Sequence, residues 1–277
     1  MSIIRLDGSN SVQLLKTLRG QAFPNSYPHV LDLSLVSFVT PVVSVITQIL
    51  KINDWELILP YAEEPKQYLN WMLSGTYQKP ERYITPKIIS KATDIPPTTQ
   101  EYFKIFQNWL SEEAADDLKY SFGELMDNVF DHANTDIGVC VAAQKYPQLD
   151  KVEGAIVDLG VGIAYSFENV NESNGLIFFK KALKMKGTSK PDKHSGEGLS
   201  SVLEWLKKNH CDAMILSQNH VWEFLKSKET ISELNHVAWP GTLIWFAIPP
   251  NLEYNLRIIW EEFGLGQDTS EIDDLFL

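Results

Sequence analysis

The sequence predicts an α/β protein in two parts, the second of α+β kind, and three observations carry that prediction. Strand-like apolar runs alternate with helix-periodic segments over the first third of the chain. A stretch interrupted by Pro80, Pro86, Pro96 and Pro97 follows. Beyond it, a long helical run gives way to a series of short apolar strands. The expected parts are a small α/β unit over 1–95, a larger unit over 96–250 and an acidic tail over 251–277.

In chain order, HVLDLSLV (29–36) reads as a buried strand, and PVVSVITQIL (41–50) as a helix with Pro41 suited to its first turn. WELILP (55–60) is a second strand and PKQYLNWML (65–73) a second helix. The proline-broken stretch from Tyr77 to Gln100 is read as a linker, which places a boundary near Ile95. From Gln100 to Ala133 the pattern is helical, with two helices meeting near Ser111, where Glu112 and Glu113 follow a good N-cap residue. Leu118, Phe122, Leu125 and Val129 recur at helical spacing and are expected in the core. IGVCVAAQKY (137–146) and VEGAIVDLG (152–160) read as strands. Gly198 to His210 reads as a helix with Leu199, Val202, Leu203 and Leu206 on one stripe. AMILSQ, VWEF and TLIWFAIP are further strands.

Composition narrows the function classes. The net charge is −12, with arginine at only four positions, so a phosphate-neutralising face for extended DNA or RNA binding is not expected. No apolar run is long enough for a membrane span, and the start MSIIRLDGSN lacks the basic and apolar regions of a secretory signal. Cys140 and Cys211 are too few for a disulfide framework or a cysteine-based zinc site, and a reducing cytoplasm is the expected setting. Against the acidic background, Lys180, Lys181, Lys184, Lys186, Lys190 and Lys193 crowd one stretch. This is either a solvated helix face and loop or a phosphate-attracting lid.

Four short stretches carry chemistry. In GELMDNVFDH (123–132), Glu124, Asn128 and Asp131 fall at i, i+4 and i+7 and share a helix face. Such a set is what the solvent side of any helix offers. It is also a carboxylate and a carboxamide one turn apart, suited to proton abstraction and to Mg²⁺. In IVDLGVGI (156–163), Asp158 follows a strand and Gly160 and Gly162 bracket a turn. That is an ordinary β-turn, or a place where backbone approaches a ligand while a carboxylate accepts from an exocyclic amine. In HSGEGLSSV (194–202), Gly196 and Gly198 lead into a helix whose free N–H groups suit phosphate. PGTLIWFAIP (240–249) sets Thr242 at the entry of a late strand.

In order and spacing these stretches resemble the GHKL (Bergerat-fold, histidine-kinase-like) ATPase superfamily of DNA gyrase, heat-shock chaperones, histidine kinases and MutL mismatch-repair proteins. ELMDNVFDH looks like the N box, DLGVGI and GEGL like the two glycine boxes, and GTLIWFAIP like the closing Gly-Thr strand. The resemblance covers residues from about Ser111 to Pro249 and implies a two-layer α/β sandwich with a mixed sheet. It implies ATP and Mg²⁺ as cofactors, with Glu124 as general base and Asn128 as the Mg²⁺ ligand beside Asp131. Asp158 would hold adenine N6 with Thr242 in support, and Gly160 and Gly162 would line the base pocket. Gly196, Gly198 and Leu199 would form the phosphate loop, and Lys190 would belong to a lid spanning about Glu168 to Ser195. No helix with a phospho-accepting histidine is visible, which disfavours a sensor kinase. The segment LDLSLVSFVTPVVSVITQIL (31–50) resembles the strand–turn–helix of STAS and STAS-like domains. There a turn serine is phosphorylated by a GHKL-type kinase; here the turn is Thr40-Pro41-Val42, with Ser37 and Ser44 nearby.

The sequence therefore points to a cytoplasmic Mg-ATP-binding regulator that acts on a protein partner, STAS-like or otherwise, by slow hydrolysis or phosphoryl transfer. The alternatives are an anti-sigma-type serine/threonine kinase and a non-catalytic ATP-gated interaction module. No membrane association is expected, and a homodimer is left open.

Overall fold

A computed structural model of the chain describes residues 2–24, 29–75, 82–107, 109–167, 170–171, 173–184 and 198–263. They form a mixed α/β architecture with two sheets. The smaller is a three-stranded parallel sheet in the order β1 (Ser2–Gly8), β2 (His29–Val36), β3 (Glu56–Ile58). It is crossed by α1 (Ser11–Arg19), α2 (Pro41–Lys51) and α3 (Glu63–Ser74). Strand β1 and helix α1 precede the elements read from the sequence. Asn10 caps α1 by accepting from Gln13 N–H, and Thr40 caps α2 with Pro41 in the first turn.

The larger sheet has seven strands: β4 (Tyr83–Ile89), β5 (Val139–Tyr146), β6 (Lys151–Val157), β7 (Asp212–Gln218), β8 (His220–Leu225), β9 (Lys228–Glu233) and β10 (Trp239–Ile248). Their order is β4-β5-β6-β10-β7-β8-β9. Every described pairing in it is antiparallel, whereas a mixed sheet was expected. The connections explain why. Three neighbouring pairs are joined by short turns, and a short turn can return the chain only antiparallel. At Lys226-Ser227 both φ angles are positive, 52° and 60°, the backbone of a tight hairpin turn.

Strand β4 lies before the boundary expected near Ile95 and yet pairs with β5. The prolines read as a linker have other places. Pro86 sits in an edge strand where the β4–β5 register shifts, so its missing N–H breaks no regular ladder bond. Pro96 and Pro97 lie in the first turn of α4 (Ile95–Phe106), where a helix needs no N–H. Helix α5 (Glu112–Asn128) begins as expected, Ser111 Oγ accepting from Ala114 N–H at 3.2 Å, and buries Leu118, Phe122 and Leu125.

The large sheet is covered on both faces. Helices α4, α5 and α7 (Gly198–Lys208) and α8 (Leu256–Glu262) enclose one core with residues such as Phe122, Trp205 and Phe246. On the other face, Cys140, Ala142, Ala155, Val157, Leu216 and Trp245 share a second core with the N-terminal unit. Helix α2 lies between the two sheets. Its apolar residues surround the axis, with Val42, Val43, Val45, Ile46, Ile49 and Leu50 all buried, as a helix enclosed on every side requires. Buried Glu153 fastens this contact, accepting from Ser11 Oγ at 2.5 Å and from Lys151 Nζ at 2.6 Å.

The segment expected as the start of an acidic tail contains α8. Asn209 Oδ1 accepts from Glu253 and Tyr254 N–H at 2.9 and 3.0 Å, and Asp117 accepts from Leu256 N–H at 3.1 Å. Residues 264–277 lie outside the described residues. Burial pushes the Asp117 carboxyl up to about 7, against the Leu256 bond that lowers it. A folded-state value above the ordinary 3.8 favours the protonated form, so this contribution to stability is complete below about pH 4. It is lost as pH rises to about 7. Asp117→Asn keeps an acceptor for Leu256 without a buried charge. At about pH 8 it should raise the melting temperature by about 2–6 °C, and at about pH 4 the gain should vanish, as scanning calorimetry can measure.

Candidate functional site

The site is built where β6, β7 and β10 end near the C-terminus of α5. Strand β6 delivers Asp158, which is 1% exposed. Asp158 N–H donates to Thr242 O at 2.9 Å, which seats the aspartate beside the entry of β10. Its Oδ1 accepts from Gly160 N–H at 2.7 Å, closing the turn between them. Burial pushes the carboxyl up to about 7, opposed by hydrogen bonds from Gly160 and Thr242. It is therefore poised between a pure acceptor and a group that can also donate.

The glycines are required by space. A Cβ on Gly160 would lie 2.1 Å from Ala133 O, and one on Gly241 would lie 2.3 Å from Asp158 Oδ1. Gly162 has φ +81°, and a Cβ there would meet Ser217 Oγ at 2.9 Å. The Asp158–Gly162 turn thus packs on both β10 and the end of α5. Past Asn128 the helix continues as a wider turn over Val129–Ala133 and ends at Asn134, in the left-handed region with φ 49°. A terminal carbonyl of a helix has no partner within it. Ala133 O takes Val161 N–H instead, at 2.8 Å.

Glu124 and Asn128 on α5, and Asp131 in the wider turn that follows it, are all half-buried. Burial raises the Glu124 carboxyl to about 6; a hydrogen bond with Tyr120 lowers it, and the charges of Asp127 and Asp131 raise it further. Asn128 Nδ2 donates to Glu124 O at 2.7 Å, which directs the amide nitrogen toward its own helix. A Cβ on Gly198 would lie 1.9 Å from Glu124 Oε2, so the start of α7 abuts the carboxylate, and a side chain there would make the Glu124 head group move. Leu199 packs partly buried against the core of the helical face.

The structure thus brings together Asp158, Gly160, Gly162 and Thr242, ties their loop to the end of the helix carrying Asn128 and Asp131, and sets Gly198 against Glu124. Lys190 and Gly196 lie outside the described residues, as does half of the expected lid. Its described part includes α6 (Gly175–Ala182), where Lys180 and Lys181 fall in the last turn, a favourable place for cations at any helix. Among the described residues no group of three or more His, Cys, Asp and Glu side chains is placed to hold a metal. A metal here would depend on the Asn128 oxygen and on oxygens that a ligand brings, the usual arrangement for Mg²⁺ on phosphates.

Sequence reasoning missed three contributors. Ser217 Oγ accepts from Ile163 N–H at 2.8 Å, lies 3.1 Å from Gly241 O and 3.3 Å from Thr242 Oγ1, and so joins β7 to the start of β10 and to the turn after Gly162. Gln218, with φ 56°, donates from Nε2 to Val161 O at 3.0 Å and also to Pro240 O. Trp239 Nε1 donates to Asp158 O at 2.7 Å. The one available signal was a Ser-Gln pair closing an otherwise apolar strand. In the N-terminal turn, Thr40 and Ser44 are buried, Ser44 Oγ donates to Pro41 O at 2.9 Å, and Ser37 alone of the three hydroxyls is exposed.

Neither a scan against protein-family models nor a search of the curated proteins finds a match to this chain. No helix among the described residues is long and apolar enough to cross a membrane.

Proposed function

We propose that this chain is a GHKL-type nucleotide-binding protein of the cytoplasm that holds ATP with Mg²⁺ and uses it to control a protein partner. The observation that carries this reading is the joining of four sequence-distant stretches into one place. Asp158 bonds Thr242, its loop bonds Ala133 at the end of the Asn128 helix, and Glu124 touches Gly198. Two of these joints lie along one helix, Gly198 against Glu124 within it and Val161 on Ala133 past its end.

The residues fit the group. Glycines at 160, 162 and 241 let the loops around Asp158 pack closely on Ala133, Ser217 and Asp158 itself, which holds that carboxyl in place. Asp158 offers an acceptor for an exocyclic amine, with Thr242 and Ser217 beside it. Asn128 offers a carboxamide oxygen to Mg²⁺, which would neutralise phosphate charge in a protein of net charge −12. Glu124, with its carboxyl near 6, is ionised at neutral pH and suited to accept a proton from water or a hydroxyl. Slow hydrolysis and phosphoryl transfer to a partner hydroxyl both use that group.

Calorimetric titration with ATP, in Mg²⁺ and in chelator, tests the reading. Binding is expected in Mg²⁺ and much weaker without it. An amine donates more strongly to the ionised Asp158, whose carboxyl lies near 7, so affinity should rise as pH increases from about 6 to about 8. Absence of ATP binding across that range would remove the proposal.

A further inference from the structure

The N-terminal unit grips the strand that enters the site. Phe23 N–H donates to Val237 O at 2.7 Å, and His236 Nε2 lies 3.0 Å from Arg19 O. The Arg19 guanidinium pairs with Glu223 at 2.6 Å. The Phe23 ring meets Trp239 edge-on at a centroid distance of 5.5 Å and lies 5.3 Å from Trp55, on which His29 stacks at 4.8 Å. Trp239 is wholly buried in this aromatic group, and its one polar atom is committed to Asp158 O.

Asp158 is held at three points. Its N–H goes to Thr242, its Oδ1 to Gly160 and its carbonyl to Trp239. The first two anchors belong to the site itself. The third leads out of it, through a ring seated in the core that the large sheet shares with the N-terminal unit. Val129 and Ala133, at the end of the Asn128 helix, and partly buried Leu199, at the start of α7, lie instead in the core of the opposite face. Among the described residues, one end of the site therefore packs with the N-terminal unit and the other packs in the opposite core.

We propose that Trp239 is a positioning residue through which docking of the N-terminal unit sets the geometry of Asp158, so that base binding and docking are coupled. The inference rests on the nucleotide reading above and deepens it. The N-terminal unit becomes a built-in effector of the base pocket, and whatever loosens that unit weakens the site. By reciprocity, a ligand against Asp158 tightens the docking. The coupling is selective, because among the described residues the N-terminal unit makes no such bond to the Glu124–Gly198 end.

The test uses the full chain with Trp239→Phe, which keeps a ring and removes the N–H, and Phe23→Ala, which removes the ring that meets it. Adenosine and Mg-tripolyphosphate are titrated separately into each. Adenosine affinity should fall about three- to tenfold in Trp239→Phe, the worth of one hydrogen bond, and fall likewise in Phe23→Ala. Tripolyphosphate affinity should be unchanged in both. Unchanged adenosine affinity would overturn the inference, and so would equal losses on both probes, which would indicate general loosening of the fold. Amide exchange on the ligand-free proteins provides an independent readout. Exchange at Gly160 N–H should quicken in both variants while the β5–β6 ladder stays as it was, and unaltered exchange at Gly160 would also overturn the coupling. A wild-type chain that binds neither probe overturns the nucleotide reading instead, while faster exchange at Gly160 would still uphold the link between Trp239 and Asp158.

Discussion

Asp158→Asn is expected to weaken ATP binding by about 10- to 100-fold, the worth of a charge-assisted hydrogen bond. The same change should relax discrimination against GTP. A carboxylate only accepts, so it suits adenine's amine and repels the carbonyl that guanine presents at the same place; a carboxamide can donate to that carbonyl. The fold should tolerate the change, because Asn retains an acceptor for Gly160 N–H and removes a carboxyl that burial already disfavours in its charged form. Competition binding with ATP and GTP checks both parts. Loss of stability without a change in base preference would show Asp158 to be a structural residue that merely closes a turn.

Asn128→Ala is the second large effect. Mg-ATP affinity should fall on the order of 100-fold, at least what disturbing a metal's outer partners causes, and the difference between Mg²⁺ and chelator should disappear. Stability should change little. The amide of Asn128 donates to Glu124 O within its own helix, a bond worth about 0.5–1.5 kcal/mol at most. Calorimetric titration together with a melting curve separates the two consequences. An unchanged Mg²⁺ dependence would remove Asn128 from the metal.

What could be read from the sequence follows physical strength of signal. Helix α5 was legible because its apolar stripe repeats over three turns and Ser111 caps it. Strands β5, β6, β7 and β10 were legible because they are buried and apolar along their length. Strand β9, KETISE, gave no signal, since it is an edge strand and nearly all its residues face water. Strand β4 and the start of α4 were concealed by prolines whose cost vanishes at a register shift and in a first helical turn. The site was legible in its motifs but not in its joints. The bond from Val161 to Ala133 and the Ser217 hydroxyl between β10 and the turn after Gly162 depend on tertiary geometry that no local spacing encodes. The sandwiching of α2 between two sheets was foreshadowed by its apolar circumference, although nothing local said which sheet would cover it.

The central claim is that Asn128 and Asp158 hold opposite ends of one nucleotide. The most direct measurement is a crystal structure of the full chain grown with Mg²⁺ and a non-hydrolysable ATP analogue. The account predicts the adenine amine on the Asp158 carboxylate, with the cation between the Asn128 oxygen and the phosphates. An analogue bound elsewhere, or a base reversed so that its phosphates point away from Asn128, would contradict it.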